Sequence, residues 1–242
     1  MTPRLEILSS SSAQFGFRKK LSFDLAAARL SENILLNRDA GLYTGAVLLD
    51  VKKAFDSVDP EILLEKLNIY GFPSQYSTWL SSYLNNRYIF FGNSPPVHVR
   101  FGVPQGSTIG PLLFLLYVLD IHNSIQDQNC SIIQFADDTI ILFPSKSEEV
   151  LNTTLQKEVD NLHQWFLANR LQLAPSKCQS IISNAIPKLN LTLDSTSIYY
   201  LLLSDLLSFI HSVSSYLPFY FILYLLLIFV VLKIFVLITK TQ

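Results

Sequence analysis

The sequence predicts an α+β fold, because short apolar runs alternate with longer segments of helical periodicity. One apolar run ends in Asp50, as a buried strand with a carboxylate at its tip would. Two more, 130–136 and 139–143, flank the junction Asp137-Asp138, which is typical of a β-hairpin. Apolar residues recur at helical spacing over 22–39 and 148–169. A chain of 242 residues can hold one such domain and an appendage.

The remaining elements follow from local start and stop signals. Ser22 is a candidate helix cap, and Asp59 followed by Pro60 predicts a helix start, because a capping carboxylate precedes a proline in the first turn. The other expected helices are 74–85 and 111–125, and the other expected strands are 88–91, 97–101 and 178–183.

Charge and cysteine content narrow the choice of function only slightly. The net charge of -1 does not by itself indicate a nucleic-acid-binding protein, which usually carries clustered Lys and Arg. The basic groups at 18–20 and 52–53 are, taken alone, typical of a solvated surface. Cys130 and Cys178 are too few for a disulfide framework or a zinc site, and they lie in apolar runs, as free core thiols do.

Three carboxylates are candidates for a metal site. Asp137 and Asp138 are adjacent at the expected hairpin tip, where like charges repel and lose water. A divalent cation would relieve both costs, and Mg²⁺ prefers carboxylate oxygens. Asp50 could join the pair if its strand lies beside the hairpin, and two metals would then flank a reacting phosphate. An Asp-Asp pair alone is weak evidence for a metal site, because such pairs are common in turns, and an ordinary turn is the better interpretation at this point.

Five motifs in the chain resemble, in order and spacing, those of non-LTR retrotransposon reverse transcriptases of the LINE type, and in particular jockey-like ones. They extend over roughly 13–183. They are QFGFRK at 14–19, LDVKKAFDSVD at 49–59, GVPQGS followed by IGPLLF at 102–114, FADDT at 135–139, and a Trp, Asn-Arg-Leu and Lys within 165–177. The resemblance implies a truncated RNA-directed DNA polymerase.

The resemblance also implies a catalytic role for four residues. Asp50, Asp137 and Asp138 would be the catalytic carboxylates and would hold two Mg²⁺ ions, with Mn²⁺ as the alternative ion. The backbone carbonyl of Val51 would be a further metal ligand. Lys177 would act as the general acid that protonates the leaving pyrophosphate.

Four more residues would bind the incoming nucleotide. Arg18 would contact the triphosphate, since a guanidinium suits phosphate oxygens. The ring of Phe55 would exclude a ribose 2′-hydroxyl by steric clash, although taken alone it could be an ordinary core Phe. Gln105 and Gly106 would lie against the nucleotide and the template. The implied partners are an RNA template, a DNA primer and dNTPs.

The implied architecture is a right-hand polymerase palm with helices packed on one side of its sheet. We expect a flexible N-terminus at 1–12 and a reverse transcriptase domain at 13–186, divided into partial fingers (13–45) and palm (46–186). The family's thumb is expected to be absent.

An apolar tail is expected at 187–242, with a candidate transmembrane helix at 216–238 that is long enough to span a bilayer. Alternatively, the tail is translated noncoding sequence of a decayed element, because its residue types have T-rich codons. The parent element would act in the nucleus and cytoplasm, whereas insertion of this helix would place the chain at a membrane.

Two other functions compete with an active polymerase. The first is a catalytically inactive retroelement remnant that is membrane-embedded or unstable. The second is a module that binds nucleic acid without catalysis, which would show salt-sensitive but Mg²⁺-independent RNA binding.

Overall fold

The structure is a computed structural model that describes residues 13–183 and 189–202. Its helices are α1 (Phe23–Asp39), α2 (Pro60–Ile69), α3 (Ser74–Leu84), α4 (Gly110–Tyr117) and α5 (Glu148–Ala168). Its strands are β1 (Tyr43–Leu49), β2 (Arg87–Ile89), β3 (Val97–Val99), β4 (Ser131–Phe135), β5 (Asp138–Ser145), β6 (Gln179–Ser183), β7 (Thr192–Leu193), β8 (Thr196–Ser197) and β9 (Tyr199–Leu202).

A five-stranded sheet in the order β4-β5-β1-β6-β9 forms the centre of the fold. β1 pairs antiparallel with β5 on one side and with β6 on the other. β6 and β9 are parallel, whereas β4 and β5 form the expected antiparallel hairpin. Residues 44–49 are all buried, because β1 is central and covered on both faces. This double burial explains why its sequence is a continuous apolar run.

Helices cover both faces of the sheet. Val47 and Leu49 belong to the main core, which includes Leu151 of α5, whereas Ala46 packs in a second cluster with Ala26 of α1. Successive strand residues point to opposite faces, so each helix covers one set. The expectation of helices on only one side was therefore wrong, since α1 provides an apolar stripe for the second face.

The expected helix starts are confirmed by side-chain caps. Ser22 accepts a hydrogen bond from the backbone N–H of Leu25. Asp59 accepts from the backbone N–H groups of Glu61 and Ile62 at the start of α2. Capping satisfies amides that have no partner within the helix.

The helix expected at 111–125 is shorter, because α4 ends at Tyr117 and a separate 3-10 turn covers Ile121–Ser124. The buried Lys66 ammonium donates to the carbonyl of Tyr117 at 2.6 Å. This side-chain donor satisfies a terminal carbonyl that a longer helix would have paired with a backbone amide.

The described residues beyond 186 also belong to this fold. Leu189, Leu191, Leu193 and Ile198 are buried in the main core, and β9 adds an edge strand to the sheet. The candidate transmembrane helix at 216–238 lies outside the described residues. Within 13–183 and 189–202, no helix is long and apolar enough to cross a membrane.

Candidate active site

The register of β1 and β5 brings Asp50 and Asp138 to the same end of the sheet. Leu49, the last residue of β1, is paired with Thr139, and Asp138 is the residue before Thr139 at the start of β5. An antiparallel register continued by one residue would put Asp50 opposite Asp138, with Cα atoms roughly 4.5–5.5 Å apart. Two chain segments that are distant in sequence thus bring carboxylates to one end of the sheet.

The hairpin turn differs by one residue from the expected one. Phe135 pairs with Asp138, so the two turn residues are Ala136 and Asp137, and Asp138 begins β5. Ala136 has φ 57°, a left-handed conformation that is unfavourable for a residue with a Cβ. Asp137 therefore lies in the turn, whereas Asp138 is paired within the hairpin.

After the end of β1, the backbone at Val51 pairs with the segment around Leu173. Val51 forms an antiparallel bridge with Leu173, in which Lys52 N–H donates to Gln172 O and Ala174 N–H donates to Asp50 O, both at 2.8 Å. Polar groups of successive strand residues point to opposite sides of the strand. The carbonyl of Val51 therefore points away from the Leu173 segment and toward the side of β1 on which β5 and its turn lie.

The donor types at this edge fit a divalent cation, because carboxylate and carbonyl oxygens are what Mg²⁺ prefers. Asp50, Asp137 and Asp138 are all half-buried. Across the described ranges, however, no three Asp, Glu, His or Cys side chains are gathered as a cation site. The backbone brings these three aspartates to one end of the sheet, but the metal site itself remains a prediction.

The loop that contains Gln105 and Gly106 is fastened to the segment that follows Asp50. Gly102 N–H donates to Val58 O at 2.7 Å, and Val103 N–H donates to Phe55 O at 2.9 Å. Gly102 has φ 83°, and a Cβ there would lie 2.7 Å from the Asp56 Cα atom, so only glycine permits this approach.

Gln105 extends the same contact through its side chain, because its Nε2 donates to Asp56 Oδ1 at 2.8 Å. Gly106 has φ 78°, and a Cβ there would meet no atom within 4 Å. This glycine is therefore required by its backbone conformation. Among the described residues, none makes the close approach that was expected at Gly106.

Phe55 lies between two other rings. It is half-buried and stacks on Phe114 with ring centroids 4.6 Å apart, and Phe17 meets it edge-on at 6.3 Å. Phe114 is buried in the core, whereas Phe17 is 60% exposed. The ring of Phe55 thus has one supported side and one side near the surface, which fits a core role and a sugar-contacting role equally.

Arg18 and Lys177 lie on different segments. Arg18 Nη1 donates to the carbonyl of Gln14 at 2.8 Å. Lys177 is exposed and lies two residues before the start of β6. It lines an open cleft of about 620 Å³ with Lys52, Lys53 and Arg170 among others. Several cations around one cleft favour an anionic ligand such as a phosphate.

Comparison with known proteins gives a consistent result. The family described as reverse transcriptase (RNA-dependent DNA polymerase) matches residues 4–203. The chain belongs to the reverse transcriptase family.

Among curated proteins, it is 32% identical over 173 residues to a probable RNA-directed DNA polymerase from transposon BS of Drosophila melanogaster, covering 68% of this chain and 19% of that protein. It is 28% identical over 178 residues to the RNA-directed DNA polymerase from mobile element jockey of the same organism, covering 69% and 19%. These relatives confirm the LINE-type, jockey-like resemblance. The chain spans about a fifth of their length.

Solved structures of telomerase share the fold of this reverse transcriptase domain. Apo telomerase of Candida Tropicalis, truncated from its C-terminal domain, superposes with a TM-score of 0.57 at 14% identity, covering 76% of this chain and 40% of that one. Telomerase of the same organism in complex with a fragment of telomeric RNA gives 0.56 at 11% identity, covering 78% and 34%. The α+β fold of a polymerase palm is thereby confirmed.

Sequence reasoning missed a buried polar network that links α2, α4 and α5. Tyr117 is fully buried, and its hydroxyl donates to Asn169 O at 2.6 Å and accepts from Asp59 N at 3.3 Å. Burial raises the pKa of this hydroxyl to about 12. Arg170 forms an ion pair with the buried carboxylate of Asp59. The network therefore ties the end of α5 to the start of α2.

Lys66 belongs to the same network. Its Nζ lies 2.6 Å from Asp120 Oδ1 and 4.8 Å from the ring centroid of Trp165. Burial lowers the pKa of this ammonium, and Asp120 opposes the shift. The signal in the sequence was a Lys at a core position of an amphipathic helix, since a buried Lys requires partners. These contacts give the Trp and Asn-Arg residues of the fifth motif a structural role.

Proposed function

We propose that this domain is the catalytic core of an RNA-directed DNA polymerase. It would join a dNTP to the 3′-hydroxyl of a DNA primer on an RNA template and release pyrophosphate. The observation that carries the proposal is the β1–β5 register, which brings Asp50 and Asp138 to the same end of the sheet in a chain with the motifs of this family. An ordinary acidic turn would not require a third carboxylate at the end of the adjacent strand.

Asp50, Asp137, Asp138 and the carbonyl of Val51 would hold two Mg²⁺ ions, or Mn²⁺ ions in their place. When bound, these ions would activate the attacking hydroxyl oxygen and stabilise charge on the leaving phosphate. The orientation of the Val51 carbonyl supports its role, because the bridge to Leu173 leaves that carbonyl on the side of β1 that β5 occupies. The chain itself contributes the fixed positions of these oxygens.

The nucleotide would lie between the hairpin and the loop at 102–107. Arg18 would neutralise triphosphate charge, while Gln105 and Gly106 would contact the base-paired nucleotide and template. Phe55 would exclude a 2′-hydroxyl, and its stacking on Phe114 supports this role because a fixed ring discriminates better than a mobile one. Lys177 would donate a proton to the pyrophosphate oxygen that leaves, and the cations beside it would retain that anion.

The proposed division of the chain assigns 13–45 to partial fingers and 46–186 to the palm. In support of it, α1 and the segment before it pack on the face and edge of the sheet, whereas the candidate catalytic residues Asp50, Asp137 and Asp138 follow residue 46.

Primer extension by the full 242-residue chain tests the proposal. We expect Mg²⁺- or Mn²⁺-dependent incorporation of dNTPs on an RNA template, abolished by chelation. Asp138→Asn should lower the rate by about a thousandfold, because it removes a carboxylate that would hold the metal ions against the reacting phosphate. The matched control is Asp160→Asn, an exposed helix residue that hydrogen-bonds only locally to Gln156.

Two outcomes would contradict the proposal. Undiminished extension by the Asp138→Asn variant would exclude the metal assignment. A folded wild-type chain that extends no primer with either ion would instead support the inactive-remnant alternative.

A further inference from the structure

The segment before α1 lies along the edge strand of the catalytic hairpin. Gln134 N–H donates to Ala13 O and Phe15 N–H donates to Gln134 O, both at 2.8 Å, so Gln14 forms a parallel bridge with Gln134. Ala13 and Gln14 are 8% and 4% exposed. Residues 13–15 are therefore fixed to β4 two residues before the turn.

The carboxamide of Gln14 binds both polar groups of the turn residue Ala136. Its Oε1 accepts from Ala136 N–H at 3.0 Å, and its Nε2 donates to Ala136 O at 3.1 Å. Oε1 also accepts from Gly16 N–H at 2.7 Å. Two backbone donors meet the oxygen and one carbonyl meets the nitrogen, so only one orientation of the amide satisfies all three groups.

The turn needs this support. Ala136 has φ 57°, and such a conformation persists in a residue with a Cβ only when its surroundings fix it. Gly16 makes the approach possible, because a Cβ at that position would lie 2.3 Å from Ala136 N. The next residue in the chain is Asp137, and the one after it is Asp138.

We propose that Gln14 is a positioning residue of the polymerase site. Its side chain fixes the turn conformation from which Asp137 and Asp138 project, while its backbone carbonyl accepts from Arg18 Nη1 at 2.8 Å. One residue thus connects the candidate metal-binding hairpin to the candidate triphosphate-binding Arg. Only the effect of Gln14 on catalysis rests on the proposed function, because the positioning of the turn can be measured without any activity.

The test compares Gln14→Met with Gln134→Met in the full chain. Both replace a buried carboxamide with a side chain of similar size. Gln134 is 2% exposed, and its side chain makes one long contact of 3.5 Å to Thr139 Oγ1. Gly16→Ala is a second variant, which leaves the carboxamide of Gln14 intact but forces the segment away from Ala136.

Hydrogen–deuterium exchange of the Ala136 amide is the first readout, with the amides of α5 as an internal reference. We expect exchange at Ala136 to accelerate about tenfold or more in Gln14→Met and in Gly16→Ala, because a buried amide loses its acceptor. Exchange in α5, and Ala136 exchange in Gln134→Met, should change less than about twofold.

Primer extension is the second readout. We expect kcat of Gln14→Met to fall about tenfold, with KM for dNTP changed less than about twofold, because the backbone carbonyl that holds Arg18 is retained. A purely structural loss would lower the active fraction and accelerate exchange in α5 as well.

Unchanged exchange at Ala136 in Gln14→Met would overturn the inference, and so would equal acceleration in Gln134→Met or throughout α5. If the wild-type chain extends no primer, the exchange result still decides the positioning of the turn, and the proposed function fails separately.

Discussion

Replacing Tyr117 with Phe should destabilise the domain without creating a cavity. The substitution removes one oxygen from a fully buried side chain that donates to Asn169 O at 2.6 Å and accepts from Asp59 N at 3.3 Å. The two backbone groups would lose this partner, at about 1–3 kcal/mol for each group left unsatisfied. Because the 3.3 Å contact is long, most of the loss comes from Asn169 O, and we expect a decrease of about 2 kcal/mol in the free energy of unfolding.

Urea unfolding measures this change. With a slope of about 2 kcal/mol/M, the midpoint should fall by about 1 M while the slope itself stays the same. Tyr70 provides the matched control, because its hydroxyl is buried without a hydrogen-bond partner among the described residues. Tyr70→Phe removes an oxygen but no hydrogen bond, so we expect a change within about 0.5 kcal/mol or a slight stabilisation. Equal midpoint shifts for both variants would refute the reasoning.

Four further outcomes are expected. The free energy of unfolding should fall as pH rises from about 10 to about 12, because burial raises the folded-state pKa of Tyr117 to about 12 while the unfolded side chain ionises near 10. The stabilisation from the neutral Tyr117 hydroxyl is complete below about pH 10. In a series of urea titrations at different pH, the free energy of unfolding should therefore depend less on pH in Tyr117→Phe. Burial also raises the pKa of the Cys130 thiol to about 12. Alkylation of Cys130 by iodoacetamide at pH 8 should therefore be slow in the folded chain and rapid in urea. Equal rates of Cys130 alkylation in the two conditions would contradict this burial. Lys66→Met should lower the free energy of unfolding by about 3 kcal/mol in urea titration, because Asp120 and the carbonyl of Tyr117 lose their partner. A decrease below about 1 kcal/mol would show that the Lys66–Asp120 ion pair contributes little. Phe55→Ala should raise ribonucleotide incorporation relative to deoxynucleotide incorporation by roughly tenfold in single-nucleotide extension, whereas an unchanged ratio together with lower stability would mark Phe55 as a core residue only.

Local signals predicted the elements that frame the site. The apolar run before Asp50 and the Asp59-Pro60 pair are read within a few residues, and the structure confirms a strand and a capped helix there. The expected hairpin is also present, but its turn lies at Ala136-Asp137. The difference arises because Gln14, 122 residues away in sequence, holds Ala136 in a left-handed conformation.

Nonlocal pairing was not readable from the sequence. β7, β8 and β9 lie at the start of the segment expected to be an apolar tail, so no strand was expected there. The turn residues Asp194 and Ser195, both with positive φ, were the available signal for the β7–β8 hairpin. The position of Lys66 on the core face of its helix was a signal that it needs partners, but the sequence could not identify them, because they come from three separate elements.

The connection between Gln14 and Ala136 has a consequence for folding. The candidate catalytic edge is assembled from residues near 14, 50, 136 and 174, so its contacts close some of the longest loops in the domain. Contacts of such sequence separation form slowly, because loop closure is entropically costly before any native contact compensates. During synthesis the hairpin would leave the ribosome several seconds before Ala174 and β6, at roughly 5–20 residues per second. The candidate catalytic edge should therefore be among the last parts of the domain to form.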